Sequence, residues 1–406
     1  MSSPITAAPY TRAVVSAMRK LYVLLAIREK WSLADSTSRY PESLADKSFD
    51  NTGLLLEAPF DPLRRQMNSV LLTVDLTKAV ANEAIERNDS IVVAYHPIIF
   101  RGLKSLTLKD TQQQSLLRLA AEGISVYSPH TAIDCARGGL GDWLADIVTG
   151  TPADPKEAEQ AQSEPVGDES PTKVPSQDVG ESPPDGQTTL DVKRPTYMLQ
   201  HHPSQLSLND TALKLASKQH QRYPIQATKV EGYPGAGMGR IVRLAQPVPL
   251  PDIIDRIGLG LGNPRGFPIA IPQGKQASDM MISSVGICAG SGGHLFSEME
   301  KAGEEVDLLF TGELSHHEAL AAIEKGKCVI CLFHSNTERG FLHSVLKPQL
   351  EETIAAEWNR IRNEERTKDG LSDGFLEALN DEHFDIQVSE FDRDPYGIMI
   401  SKAELG

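Results

Sequence analysis

The amino-acid sequence predicts an α/β fold in which mixed or largely parallel sheets are covered by helices. Short apolar runs rich in β-branched residues alternate with stretches of helical periodicity, which is typical of strand–helix units. The alternation stops at residues 151–190 and then returns, so the chain divides into two halves of similar order. With 406 residues, of which 40% are hydrophobic and 23% charged, the chain is long enough to bury a large core.

The first half, residues 1–150, begins with apolar residues at helical spacing from Val14 to Tyr22, which predicts a first core helix. Residues 1–20 also lack acidic side chains and contain three basic ones, which faintly resembles a transit peptide. We favour the core helix and a cytoplasmic protein, with a mitochondrial or nuclear location as the alternative. The next predicted strands are Ser69–Thr73, Ser90–Tyr95 and Ile124–Ser128, and the helices are Lys78–Arg87, Thr111–Glu122 and Leu140–Val148.

Residues 151–190 contain seven prolines, nine acidic residues, two basic residues and no aromatic residue. Such a segment cannot bury enough apolar surface to offset its ordering entropy, so we predict a disordered linker. The pattern resumes in the second half, residues 191–406. Its predicted strands are Asp279–Ile287, Val306–Phe310 and Cys328–Phe333, and its helices are His316–Lys325 and Thr337–Leu350, the latter with Pro348 near its end.

The composition disfavours several classes of protein. A net charge of −15 and a pI near 5.2 argue against direct binding to a nucleic-acid backbone, which requires clustered lysine and arginine. No apolar run approaches the roughly 18 residues of a membrane span. Four cysteines are too few for a disulfide scaffold, and we interpret the CxxC pair Cys328 and Cys331 as small core residues.

Histidines and carboxylates gather directly after the predicted strands, where open α/β sheets bind their ligands. The side chains that follow four strands are His96; His130 and Asp134; Glu313, His316 and His317; and His334 and Glu338. Imidazole mixed with carboxylate suits Zn, Mn or Fe. More than four such ligands exceed one structural site and indicate two divalent metal ions that share a bridging carboxylate and activate water.

Each cluster also has a plainer interpretation. A single histidine is more often a hydrogen-bonded or capping residue than a ligand. Asp134 is suited to cap the helix that follows it, and Glu338 to lie in the first turn of its helix. The glycine-rich CAGSGG segment, residues 288–293, resembles a phosphate-binding turn but lacks the Walker lysine, so a tight strand-to-helix turn is an equal alternative.

Several long motifs, in order, resemble one protein family. FDNTGLLLE, AYHPIIF, YSPHTAIDCARGGLGDWLA, ICAGSGG, TGELSHHEAL and HSNTERGFL are similar to segments of the family named after the yeast NGG-one-interacting factor three. Its bacterial relatives are labelled GTP cyclohydrolase I type 2 homologs. The resemblance implies two intertwined α/β halves, a dinuclear metal centre between them and a homo-oligomer, often a ring-shaped hexamer.

Carried over by motif, the resemblance implies roles for six residues. The implied metal ligands are His96, Asp134 as the bridge, His334 and Glu338, and the implied catalytic residues beside the metals are His130 and His317. Three features depart from the family pattern. The linker at residues 151–190 is longer and more acidic than the family pattern leads us to expect. Tyr95 replaces the first histidine of a bacterial pair, so one ligand is missing; this either weakens the second metal site or lets the tyrosine hydroxyl interact there. Residues 23–40 interrupt a passage that is usually continuous, and we predict an insertion there, either an extended surface helix or a translated intron.

Two main functions remain from this reasoning, and a metal chaperone or storage role is the third alternative. The first is a metal-dependent hydrolase of an unidentified nucleotide-like or phosphorylated small molecule, with His130 or His317 moving protons. The second is a non-catalytic regulatory protein with structural metals that acts through protein partners in transcription. The cyclohydrolase label rests on the family resemblance alone.

Overall fold

The computed structural model describes residues 6–21, 40–150, 197–200 and 219–401. The predicted insertion at 23–40, apart from its last residue, and the predicted linker at 151–190 lie outside these residues. Within the described residues, no helix is both long enough and apolar enough to cross a bilayer.

The chain forms fifteen strands across the described residues. In chain order they are β1 (Gly53–Leu56), β2 (Ser69–Thr73), β3 (Ile91–Ala94), β4 (Ser125–Ser128), β5 (Tyr197–Gln200), β6 (His220–Tyr223), β7 (Gln226–Ala227), β8 (Gly237–Met238), β9 (Arg240–Pro249), β10 (Ile269–Ala270), β11 (Met281–Ser291), β12 (Leu308–Glu313), β13 (Cys328–Cys331), β14 (Asp385–Val388) and β15 (Ile398–Ser401).

The main helices alternate with these strands. They are α1 (Pro9–Lys20), α2 (Lys78–Arg87), α3 (Thr111–Ala121), α4 (Thr131–Cys135), α5 (Leu140–Thr149), α6 (Leu250–Gly260), α7 (Gly293–Lys301), α8 (His316–Glu324), α9 (Lys347–Arg366) and α10 (Asp373–Asn380). A short helix at Arg339–Phe341 and a π-helical turn at Leu342–Leu346 lead into α9.

The first sheet has five strands in the order β1-β4-β3-β2-β14. The four strands from β4 to β14 are parallel, and β1 pairs antiparallel with β4 at one edge. All five residues of β2 and all four of β3 are buried, as expected for strands covered on both faces. The prediction of mixed sheets covered by helices is confirmed.

The C-terminal part of the chain completes this first sheet. β14 pairs in parallel with β2, and Asp385 lies opposite Ser69. Helix α9 packs on α1, where Trp358 meets Tyr10 edge-to-face with ring centroids 5.4 Å apart. Both rings belong to one buried core cluster. The two halves are therefore intertwined, as the family resemblance implies.

The second sheet has six strands in the order β10-β13-β12-β11-β9-β6. Its central strands β11, β12 and β13 are parallel, and the remaining pairs are antiparallel. The side chain of Trp143, on α5, packs against the core clusters of both sheets. The carboxyl ends of the parallel strands in both sheets carry the residues of the candidate site.

Most predicted elements are confirmed with ends that shift by a few residues. The expectation that Pro348 lies near the end of a helix is wrong, because Pro348 lies in the first turn of α9, which continues to Arg366. The backbone hydrogen-bond pattern changes at the preceding π turn. A proline that begins the new segment has no amide hydrogen to leave unpaired, so it does not end the helix.

Candidate metal centre

Three of the predicted ligands meet where the two sheets approach each other. His96 follows β3 of the first sheet, and His334 and Glu338 follow β13 of the second. One potential ligand atom from each lies within 4.8 Å of the other two. The Glu338 carboxylate lies between the imidazoles, with Oε2 at 3.4 Å from Nε2 of His96 and Oε1 at 3.5 Å from Nε2 of His334.

Both histidines are oriented by a second carboxylate. Nδ1 of His96 lies 2.9 Å from Asp75 Oδ1, and Nδ1 of His334 lies 2.9 Å from Glu313 Oε1. A carboxylate on one ring nitrogen favours the tautomer that presents the other nitrogen to a metal. The two Nε2 atoms both point toward Glu338, so the arrangement is the one expected for metal-ligating histidines.

The donor set fits a divalent cation. Glu338 is only 3% exposed, and its Oε2 has no hydrogen-bond partner among the described residues. A buried carboxylate oxygen without a partner is costly, and a cation between the imidazoles would satisfy it. Two imidazoles and a carboxylate suit Zn, Mn or Fe.

The electrostatics of the two histidines agree with this interpretation. Burial opposes protonation of His96, but the Glu338 carboxylate and the hydrogen bond to Asp75 raise its pKa to about 11. Burial also opposes protonation of His334, and Glu338 and Glu313 raise its pKa. The carboxylates around the two rings therefore attract positive charge to this place.

Asp134, the predicted bridging ligand, lies outside this group of three. It is on α4, and its Oδ1 accepts a hydrogen bond of 2.6 Å from the Tyr95 hydroxyl. Burial raises the pKa of the Asp134 carboxyl to about 6, although His130 and Tyr95 act in the opposite direction. Tyr95 thus hydrogen-bonds to the carboxylate beside the site, and the bridging role of Asp134 stays a prediction.

The structure places the two predicted catalytic histidines differently. The ring of His130 lies 5.4 Å from that of His96, and its Nδ1 is 2.7 Å from Asp50 Oδ1. His317 lies in the exposed first turn of α8, where its ring packs against His316 with centroids 5.2 Å apart. His130 therefore lies beside the three candidate ligands. The ring of His317 instead contacts the ring of His316 on the surface of α8.

Two carboxylates of the site were missed from the sequence. Asp75 comes two residues after β2, so the rule that identified the histidines, inspection of each strand end, applies to it equally. Asp50 precedes the edge strand β1 and carries no such signal. Its proximity to His130 depends on the antiparallel pairing of β1 with β4.

The glycine-rich turn approaches the ligands very closely. Gly290 has a φ of +60°, and a β-carbon there would lie 2.8 Å from Nε2 of His334 and 2.8 Å from Oε1 of Glu338. Its backbone is held by Thr337, whose Oγ accepts from the Gly290 amide at 2.9 Å, and by Thr311, which donates to its carbonyl at 3.0 Å. Any side chain larger than that of glycine at this position would displace the two candidate ligand side chains.

Sequence similarity to known proteins extends over most of the chain. Residues 35–366 match the family model described as Duf34/NIF3 (NGG1p interacting factor 3). The chain belongs to this family. The NIF3 homolog of Schizosaccharomyces pombe is 40% identical over 79% of this chain and 88% of its own length. The NGG1-interacting factor 3 of Saccharomyces cerevisiae is 33% identical over 78% of this chain and 88% of its own length.

Solved structures share the fold of this NIF3-family chain. A Bacillus cereus protein related to NIF3 matches with a TM-score of 0.53 and 16% identity over 97% of this chain and 99% of that chain. A Staphylococcus aureus protein matches with a TM-score of 0.51 and 20% identity over 88% and 94%. At these identities the likeness extends to the fold alone.

Proposed function

We propose that this NIF3-family chain binds divalent metal ions and uses them to hydrolyse a phosphorylated or nucleotide-like small molecule. His96, His334 and Glu338 would hold one ion, and Asp134 would bridge to a second. The observation that carries the proposal is the buried Glu338 carboxylate, which lies between two imidazole nitrogens and whose Oε2 has no hydrogen-bond partner in the described residues. A divalent ion in such a site lowers the pKa of bound water and supplies a hydrolytic nucleophile at neutral pH.

The chain's own contribution to proton transfer is assigned to His130. Asp50 contacts Nδ1 of its imidazole, so Nε2 is the atom that would accept or deliver a proton. Asp50 also accepts hydrogen bonds from the amide and hydroxyl of Thr131, which fixes the carboxylate that orients the ring. The exposed ring of Phe100, 6.5 Å from that of His130, offers an apolar face to a heterocyclic substrate.

The test begins with metal content. Elemental analysis of untagged protein purified without chelators should find close to two divalent ions per chain, and His334→Ala should lower that content sharply. His294→Ala changes an exposed histidine on α7 and serves as the matched control. One ion per chain would assign the three-residue site alone and would indicate that Tyr95 has removed the second. No ion in the wild type, even after metal is offered back, would refute the proposal.

A second candidate function is favoured by the name of one relative. The Saccharomyces cerevisiae protein, 33% identical, is named as an interacting factor of NGG1. On this alternative the chain is a regulatory protein that binds protein partners, possesses structural metals and has no turnover. A screen of phosphorylated and nucleotide substrates with added Mn or Zn separates the two, because only the hydrolase loses turnover in His130→Ala while it retains its metal.

A further inference from the structure

The segment after β14 lies against both halves of the site. Asp392 and Asp394 are buried, with 5% and 2% of their surface exposed. Asp392 reaches the first sheet, where Oδ2 accepts a 2.7 Å hydrogen bond from the amide of Val74 and Oδ1 lies 3.4 Å from the amide of Asp75. Asp75 is the residue whose carboxylate orients His96. Asp392 therefore fixes the backbone that carries this carboxylate.

The same two aspartates also contact the loop that follows β13 in the second sheet and that carries His334 and Glu338. Asp392 forms a close ion pair with Arg339, the residue after Glu338, and Arg339 donates to Ser335 Oγ at 2.6 Å. Asp394 Oδ2 accepts from both the amide and the hydroxyl of Ser335 at 2.9 Å. Ser335 directly follows His334 and Arg339 directly follows Glu338, so the residue after each of the two candidate ligands in this loop is held by a buried aspartate.

The backbone before His334 needs such support. Phe333 has a φ of +66°, in the left-handed region that is unfavourable for residues with a side chain. Its ring packs against Tyr396, two residues beyond Asp394, with centroids 6.1 Å apart. The amide of Tyr396 donates to Asp394 Oδ1 at 2.9 Å. The segment thus stabilises the conformation that presents the His334 imidazole.

From these contacts we infer that Asp392 and Asp394 are positioning residues for the metal centre, which rests on the metal binding proposed above. They touch no ligand side chain directly. They act through the backbone of Asp75 and Ser335 and through Arg339, and so set the distance between the His96 side and the His334–Glu338 side of the site. Outer groups that orient metal ligands typically contribute about 10–100-fold to metal affinity.

The test is a titration of the metal-free full-length protein with Co²⁺, followed by its visible absorption bands, together with urea unfolding of the same metal-free samples. Asp392→Asn and Asp394→Asn should each weaken Co²⁺ binding by about 10–100-fold and alter the absorption bands. The matched control is Asp89→Asn. Asp89 is fully buried and paired with Arg87, but it lies at the amino end of β3, opposite to His96.

The outcomes separate a positioning role from a merely structural one. If both site variants and Asp89→Asn lose stability but bind Co²⁺ like the wild type, with the same bands, the inference is refuted. If Asp392→Asn does not fold because Arg339 loses its partner, Asp394→Asn leaves that ion pair intact and decides the question alone. A wild-type protein that takes up no Co²⁺ overturns the proposed metal function itself, and this inference with it.

Discussion

The backbone of Gly290 closely approaches two of the candidate ligands, and replacing this glycine with alanine tests the metal centre with little change elsewhere. The new β-carbon would lie 2.8 Å from both His334 Nε2 and Glu338 Oε1, where ordinary contact begins at 3.4 Å. Both atoms are the ends of side chains and can move away. A left-handed alanine costs about 1–2 kcal/mol of unfolding free energy, so we expect the Gly290→Ala protein to fold.

The effect on metal binding should be much larger than the effect on stability. Restoring ordinary contact requires the ligand atoms to move by about 0.6 Å, three times the roughly ±0.2 Å within which metal–ligand distances vary. We therefore expect Gly290→Ala to weaken metal binding by at least about tenfold, since both ligands move at once.

The control is a glycine that also has a left-handed backbone conformation but where an added β-carbon would contact no other atom. Gly303 has a φ of +79°, and a β-carbon there meets nothing within 4 Å. Gly303→Ala should lose a similar amount of unfolding free energy in urea and keep its metal affinity in an isothermal titration. Equal metal affinity in both variants would refute the assignment of His334 and Glu338 as ligands.

Two further predictions concern groups beside and away from the site. Tyr95→Phe should lower the unfolding free energy of the metal-free protein in urea by about 1–3 kcal/mol, because Asp134 loses a buried hydrogen-bond donor. The control is Tyr10→Phe, which should change the unfolding free energy little because the Tyr10 hydroxyl has no hydrogen-bond partner among the described residues. Equal effects of the two substitutions would contradict this prediction. Burial raises the pKa of Glu357, but hydrogen bonds led by that of Arg360 lower it to about 2. The stabilising contribution of the Glu357 carboxylate is therefore present above pH 4.5 and lost toward pH 2. Urea unfolding at several pH values should show Glu357→Gln less stable than the wild type at pH 7, with the difference shrinking below pH 4.5. A difference that stays constant with pH would contradict this.

The sequence was sufficient to predict the strand–helix order and three residues that meet. Buried parallel strands are read from their apolar β-branched runs, and the residues after them lie at one edge of the sheet by geometry alone. His96, His334 and Glu338 are found in this way. The positions of strand ends in the sequence do not determine how two sheets are oriented toward each other. For this reason, the positions of Asp134 and His317 relative to these three residues could not be predicted.

The buried aspartates after β14 depend on contacts that no local pattern encodes. Asp392 hydrogen-bonds to the amide of Val74, more than 300 residues earlier in the chain. One of the two neighbours of β2 in the sheet is β14, whose short sequence DIQV resembles many other half-buried strands. Long-range pairing of this kind is decided by the whole set of competing strands, so it becomes visible only in the folded chain.

The interlocked topology has a consequence for how the centre forms. His96 and its partner Asp75 lie in residues 1–150, whereas His334, Glu338 and the β14 strand that completes the first sheet lie in residues 191–406. Within the described residues, neither part alone contains all three candidate ligands. Because the ligands converge only when β14 has paired with β2 and the strand ends of both sheets have met, the free energy of metal binding would add to the stability of that union. The same place gathers Glu338, Asp75 and Glu313 around two imidazoles, and these carboxylates raise the pKa of the two rings. The fold therefore keeps, at the junction of its two sheets, a concentration of carboxylates that attracts positive charge, and this favours cation binding over structural packing as the reason for the arrangement.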